Sequence, residues 1–212
     1  MVELYDKKIS IDSIFRSIPT SVTAHMYRVG LLTGILASKV SRPELNFPDG
    51  CEEDVSIYGK AAFYHDIGKA FVPLNLLMKS TKFTKSDMAS MEKHTLCAQV
   101  LFNDIDRGKI IGMPPDLVRP ARDASVHHHE WWDGQGYPYG IRGKEIPLIA
   151  RLTSVCDAYD AMTSNRCYKR ACAHNDACRE LETCSGTQFD PVLVRLFLDN
   201  DKEISEIISS SR

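Results

Sequence analysis

Long apolar runs are missing from this 212-residue chain: none approaches the ~20 residues needed to cross a bilayer. The start, Met1-Val2-Glu3-Leu4-Tyr5-Asp6, lacks the charged-then-apolar form of a signal peptide. Basic excess is missing too. A net charge of −2 argues against a DNA or RNA polymer or a membrane as partner, so any phosphate binding has to be local. The seven cysteines contain no Cys-x-x-Cys pair, and an odd, unpaired set reads as reduced thiols in a cytoplasmic protein. Cys167, Cys172, Cys178 and Cys184 cluster in sequence, but their spacing fits no common zinc site. Strand alternation, internal repeats and domain linkers are absent as well. Hydrophobic content of 43% and charged content of 25% exclude global disorder, which leaves one all-α domain.

What is present is helical periodicity. His25, Val29, Leu32 and Leu36 recur on one helix face. Arg42-Pro43 to Gly50 reads as a loop. Asp54 is a cap for a helix running through Ile57, Ala61, Ala62 and Tyr64 into His65-Asp66-Ile67-Gly68-Lys69. Were that helix to continue, Lys69 would return to the face of His65, although Gly68 weakens it. Thr84-x-x-Asp87 is a capping box for a helix whose stripe is Met88, Met91, Leu96, Val100 and Leu101, with His94 near its apolar side. Pro114-Pro115-Asp116 opens another, on which Leu117, Ala121, Ala124 and His128 align. It delivers His127, His128 and His129 into a Gly/Pro-rich loop of about sixteen residues, long enough to be functional. Pro147 starts a helix with Leu148, Leu152, Val155, Tyr159 and Met162, where Asp157 and Asp160 share a face. A turn at Gly186 to Pro191 precedes a last core helix through Leu198, and from Lys202 a weak terminal helix is expected.

Each polar residue on these apolar faces has a plainer reading. His25 and His94 could be satisfied core histidines, and His65-Asp66 a single hydrogen-bonded pair. Together they are harder to dismiss. His25, His65, Asp66, His94, His128, His129 and Asp157 lie on or at the ends of five helices, and a bundle brings such faces to one centre. Imidazole and carboxylate without thiolate suit iron, manganese or zinc. Seven ligands are too many for one tetrahedral ion and about right for two.

At this point the chain resembles the HD-GYP domain of the HD superfamily of metal-dependent phosphohydrolases. The matching motifs are His25-x-x-Arg28-Val29, His65-Asp66-Ile67-Gly68-Lys69 and His128-His129-Glu130-x-x-Asp133-Gly134-x-Gly136-Tyr137-Pro138. They continue through Ile146-Pro147-Leu148-x-Ala150-Arg151, Asp157-x-x-Asp160-Ala161-Met162-Thr163-Ser164-x-Arg166 and Gly186-Thr187-Gln188-Phe189-Asp190-Pro191. The resemblance implies a compact helical bundle over residues 21–200, with a short extension (1–20) before it and a tail (201–212) after it. It implies a cyclic di-GMP phosphodiesterase holding two divalent ions, Fe or Mn by preference and Zn as a possible third. His25, His65, Asp66 and Asp157 would hold one ion, and Asp66 would bridge to a second on His94, His128 and His129. A hydroxide between ions about 3.5–4 Å apart would attack phosphorus to give pGpG, with GMP as a slower product. Lys69 would contact the scissile phosphate with Asp160 as its partner, while Tyr137, Arg166 and Lys169 would meet the dinucleotide. Trp131 and Trp132 could add an aromatic face. His127 has no motif counterpart, and Glu130 is expected to orient a histidine.

Two positions depart from the pattern. Ser21 stands where members with three metals have a glutamate, which predicts two metals here. Cys167 replaces a frequent proline between Arg166 and Tyr168. Rival readings are a phosphodiesterase of 3′,3′-cyclic GMP-AMP, a silent cyclic-dinucleotide-binding module, and a generic nucleotidase. A sensory or receiver partner, or a second copy in a homodimer, fits the same domain.

Overall fold

A computed structural model describes residues 8–40, 54–165 and 171–210. The expected residues Arg166 and Lys169, together with Cys167 and the loop from Arg42 to Gly50, lie outside them. Among the described residues the architecture is helical, with one parallel pair of two-residue strands, β1 (Ile9–Ser10) and β2 (Ile110–Ile111). The α-helices are α1 (Ile11–Phe15), α2 (Thr20–Ser38), α3 (Tyr58–Ala62), α4 (Leu74–Leu77) and α5 (Lys85–Asp106). They continue as α6 (Pro115–His127), α7 (Leu148–Thr163), α8 (His174–Thr183), α9 (Pro191–Asp199) and α10 (Asp201–Ser210). None is long and apolar enough to cross a membrane.

Helix α2 runs through the core: His25, Val29, Leu32 and Leu36 are all buried, as their spacing requires. It crosses α3 at contact distance because both helices present glycine there. A Cβ at Gly30 would sit 2.8 Å from the Gly59 carbonyl oxygen, and one at Gly59 would sit 3.0 Å from that of Gly30. Backbone packed on backbone brings the end of α3, and so His65, against α2. On the other side α7 buries Leu148, Leu152, Val155 and Tyr159. Each fully buried side chain of this size is worth roughly 1.5–3 kcal/mol.

The helix expected to run from Asp54 into Lys69 is broken. Asp54 caps a 3₁₀ turn, Val55–Ile57, by accepting from the Ser56 N–H at 3.0 Å, and α3 ends at Ala62. After a turn the chain resumes as 3₁₀ helix over Ile67–Phe71. Contact with α5 accounts for the change: a Cβ at Gly68 would lie 1.9 Å from the His94 carbonyl oxygen. Only glycine fits there, and its close approach brings Asp66 up to His94.

The Thr84–Asp87 capping box forms as read, but the stripe of α5 does not. Met88, Leu96 and Val100 are exposed, whereas His94, Thr95, Ala98, Leu101 and Phe102 face the core. The outer ends of the chain also exceed expectation. Ile11, Ile14 and Ile18 are buried, as are Ile204 and Ile208 of α10, so residues set aside as extension and tail belong to the core.

Candidate metal centre

Five elements bring the seven expected ligands to one place: α2 with His25, the turn after α3 with His65 and Asp66, α5 with His94, the end of α6 with His128 and His129, and α7 with Asp157. Candidate ligand atoms of three overlapping groups lie within 4.8 Å of one another. These are His25, His65 and Asp157; His65, Asp66 and His128; and His94, His128 and His129.

Asp66 divides its carboxylate between the two sides. Its Oδ2 lies 3.4 Å from His65 Nε2 and 3.8 Å from His25 Nε2. Its Oδ1 lies 3.4 Å from His94 Nε2 and 3.9 Å from His128 Nε2. Asp157 completes the first side, with Oδ1 2.9 Å from His25 Nε2 and 4.0 Å from His65 Nε2. The second side is tight enough for His94 Nε2 and His128 Nε2 to stand 3.5 Å apart.

The histidines are turned by their own helices. His65 Nδ1 donates to the Ala62 carbonyl at 3.0 Å, His94 Nδ1 to Met91 at 2.7 Å and His128 Nδ1 to Ala124 at 2.9 Å. A carbonyl only accepts, so each of these rings carries its proton on Nδ1 and aims the Nε2 lone pair inward. His25 is oriented differently, by Asp160 Oδ2 at 2.6 Å from Nδ1. Asp160 is clamped in turn by Arg28, whose Nε and Nη2 donate at 2.6 and 2.9 Å.

These residues fit a metal. Nε2 of His65 and Oδ1 of Asp66 are buried without a hydrogen-bond partner, and Nε2 of His25 has only the Asp157 carboxylate, at 2.9 Å. Leaving one such atom unsatisfied costs about 1–3 kcal/mol; the His65 nitrogen faces the first side and the Asp66 oxygen the second. Their protonation fits as well. Burial lowers His94 to about 4 and His129 to about 3, and lowers His128 well below the usual histidine range, so these imidazoles are neutral near pH 7. Burial alone would raise Asp66, yet Lys69 and His65 hold it well below the usual carboxylate range. Burial acts the same way on Asp157, where the hydrogen bond to His25 prevails and keeps it ionised.

Two expected roles need correction. Lys69 does not pair with Asp160; its ammonium bonds to Asp66 Oδ2. In a 3₁₀ helix residues i and i+3 eclipse, so the break after α3 turns Lys69 toward Asp66. Both oxygens of Asp160 meanwhile face Arg28 and His25. Glu130 does not orient a ligand histidine either. Its Oε1 accepts from the Tyr139 N–H at 2.8 Å and otherwise lies 3.9 Å from Nδ1 of His127, which stays outside the ligand groups.

The loop after α6 folds over the second side. The Tyr137 ring stacks on His129 with centroids 4.8 Å apart, and its N–H donates to the His129 carbonyl at 3.1 Å. Trp132 packs against the rest of the fold: its backbone N–H donates to the Gln188 carbonyl at 3.1 Å, and the Arg151 guanidinium sits over its ring. Arg151 is fixed by Asp190 at 2.6 Å, tying two of the sequence motifs together. Beside the centre opens a cavity of about 230 Å³, whose lining includes Ser21, His25, Arg28, Lys69, Lys79 and Asp160. A larger one, about 720 Å³, lies between α2 and α3 and touches none of the seven ligands. The sequence reading gave Arg28 no role, although its i+3 spacing from His25 put both on one face. Lys79 carried no signal at all.

Comparison with known proteins places the chain in a family. The HD domain family model matches residues 37–193. A probable cyclic di-GMP phosphodiesterase of Vibrio cholerae is 36% identical over 153 residues, covering 72% of this chain and 34% of its own. A 3′3′-cGAMP-specific phosphodiesterase 2 of the same organism is 30% identical over 88% of this chain and 33% of its own. The chain thus spans about a third of the length of these relatives. Among solved structures, an HDG"Y"P protein from Bdellovibrio bacteriovorus shares the fold, with a TM-score of 0.60 and 20% identity over 91% of this chain and 56% of that one. The chain belongs to the HD domain family and carries the motifs that mark its HD-GYP branch.

Proposed function

We propose that this domain is a metal-dependent phosphodiesterase that hydrolyses cyclic di-GMP to linear pGpG. The observation that carries the reading is the divided carboxylate of Asp66, with Oδ2 facing His25 and His65 and Oδ1 facing His94 and His128. His25, His65, Asp66 and Asp157 would hold one divalent ion, and Asp66, His94, His128 and His129 a second. Donors of nitrogen and oxygen alone favour Fe or Mn and accept Zn. Two such ions would supply an activated water at neutral pH and offset the charge that develops on the phosphoryl oxygens.

The chain's own residues bind and position. Lys69 shares Asp66 with the ligand set and so stands where its ammonium can meet a phosphoryl oxygen. Arg28 and Lys79, lining the same cavity, add cationic walls suited to a dinucleotide phosphate. Arg28 also fixes Asp160, and through it the ring of His25. Tyr137 offers an aromatic face next to His129 on which a guanine can stack. Ser21, at the mouth beside His25, offers no carboxylate for a third ion.

Similarity to a 3′3′-cGAMP-specific phosphodiesterase supports a second reading, in which the mixed dinucleotide is the preferred substrate. The test is turnover of both cyclic dinucleotides, side by side, by protein loaded anaerobically with Fe(II) or Mn(II), with chromatography of products. Accumulating pGpG supports the proposal. Faster turnover of 3′,3′-cyclic GMP-AMP selects the second reading, and binding of both without hydrolysis rejects both.

A further inference from the structure

A second cluster of metal-ligating side chains lies away from the centre just described, where α8 meets α10. His174 and Cys178 stand one turn apart on α8, and Asp201 opens α10. One ligand atom from each lies within 4.8 Å of the others. His174 Nε2 is 3.3 Å from Asp201 Oδ2 and 3.7 Å from Cys178 Sγ, which is 3.8 Å from Nδ1. Bond lengths of about 2.0–2.3 Å in a tetrahedron put ligand atoms about 3.3–3.8 Å apart. His174 Nε2 thus already stands near coordination spacing from both the carboxylate and the thiol.

The surroundings fit. The Tyr159 hydroxyl lies 2.9 Å from His174 Nδ1, where it can accept that N–H while Nε2 serves a metal. Three protein ligands leave the fourth position of a tetrahedral ion to water or another group. Unliganded, Cys178 is a protonated thiol, raised to about 11 by burial and then by Asp201 and Cys172. A bound metal would remove that proton.

We infer that Cys178, His174 and Asp201 form a thiolate-containing site for a borderline-soft divalent ion such as zinc, distinct from the histidine–carboxylate centre. Such an ion ties α10 to α8 and so closes the C-terminal end of the core. The pair His174-x₃-Cys178 alone matches no common zinc motif, and the third ligand comes from a separate helix.

The two sites differ in donor atoms, and the test uses that difference. The histidine–carboxylate centre has no sulfur, so of the two sites the second is the one that can give a thiolate-to-cobalt charge-transfer band. Reduced full-length chain titrated with Co(II) is expected to develop this band to one equivalent per chain and to lose it on adding Zn(II). Cys178→Ser should abolish the band and Asp201→Asn weaken it, both with unchanged circular dichroism, while Cys97→Ser on α5 keeps it. No band in the folded wild-type protein, or an equal band in Cys178→Ser, would overturn the assignment. The readout is independent of phosphodiesterase activity.

Discussion

The two clusters of this fold solve opposite problems with the same residue types. In the histidine–carboxylate centre the buried ligand atoms His65 Nε2 and Asp66 Oδ1 have no hydrogen-bond partner, and the rings of His65, His94 and His128 are locked by backbone carbonyls one turn back. The α8–α10 cluster is half-buried, and His174 is hydrogen-bonded to Tyr159 and Asp201 without any ion. The first has its rings set in place before a metal arrives and carries an unsatisfied cost until it does. The second is complete without metal and needs only small movements to accept one. Hard and intermediate donors build the first, whereas a thiol distinguishes the second. Under the proposed function, chemistry on phosphate belongs to the first.

Breaking the bridge should show the difference most strongly. Asp66→Asn removes the charge shared by both halves and leaves Lys69 beside a neutral amide. Expected outcomes are loss of at least one ion by metal analysis and turnover at background. Retained activity would separate Asp66 from catalysis. Next come the positioning residues. Arg28→Ala frees Asp160 from its clamp and loosens His25, and should cost about 10–100-fold in metal affinity or turnover. Arg28→Lys restores charge without the fork and should recover only part of it; full recovery would mean that charge alone matters.

Acid should also distinguish the centre. A histidine held below its unfolded value binds its proton only in the unfolded chain, so stability falls as pH drops below the unfolded value of about 6.5. His94 at about 4 and His129 at about 3 both act this way. His25 is raised and opposes them, but it is outnumbered. Metal-free protein should therefore melt at a lower temperature at pH 5 than at pH 7, by calorimetry, and His129→Gln should flatten the slope. A melting temperature that rises toward pH 5 would contradict this account. The smallest effect belongs to the other cluster: Cys178→Ser should leave turnover within about twofold, as remote half-buried changes do.

How legible was this in the sequence? The apolar stripe of α2 and the polar residues within it were readable because burial enforces helical spacing. The adjacency of His65 and Asp66 was readable as well. What escaped was pairing, which depends on local backbone. Lys69 meets Asp66 because Gly68 presses a 3₁₀ turn onto the His94 carbonyl, a contact that no spacing rule encodes. The stripe of α5 was misread because apolar Met88, Leu96 and Val100 lie on its solvent side. The end helix was undervalued although Ile204 and Ile208 already showed an i, i+4 pair. Arg166 and Lys169 lie outside the described residues, and their expected contacts with a dinucleotide belong to the proposal.

The divided carboxylate of Asp66 is the central claim, and electron paramagnetic resonance of Mn(II)-loaded protein tests it most directly. Two Mn(II) ions per chain with an exchange-coupled spectrum, uncoupled to a single-ion signal in Asp66→Asn, is the predicted result. A wild-type protein that binds one ion, or two with the spectrum of isolated Mn(II), would contradict it.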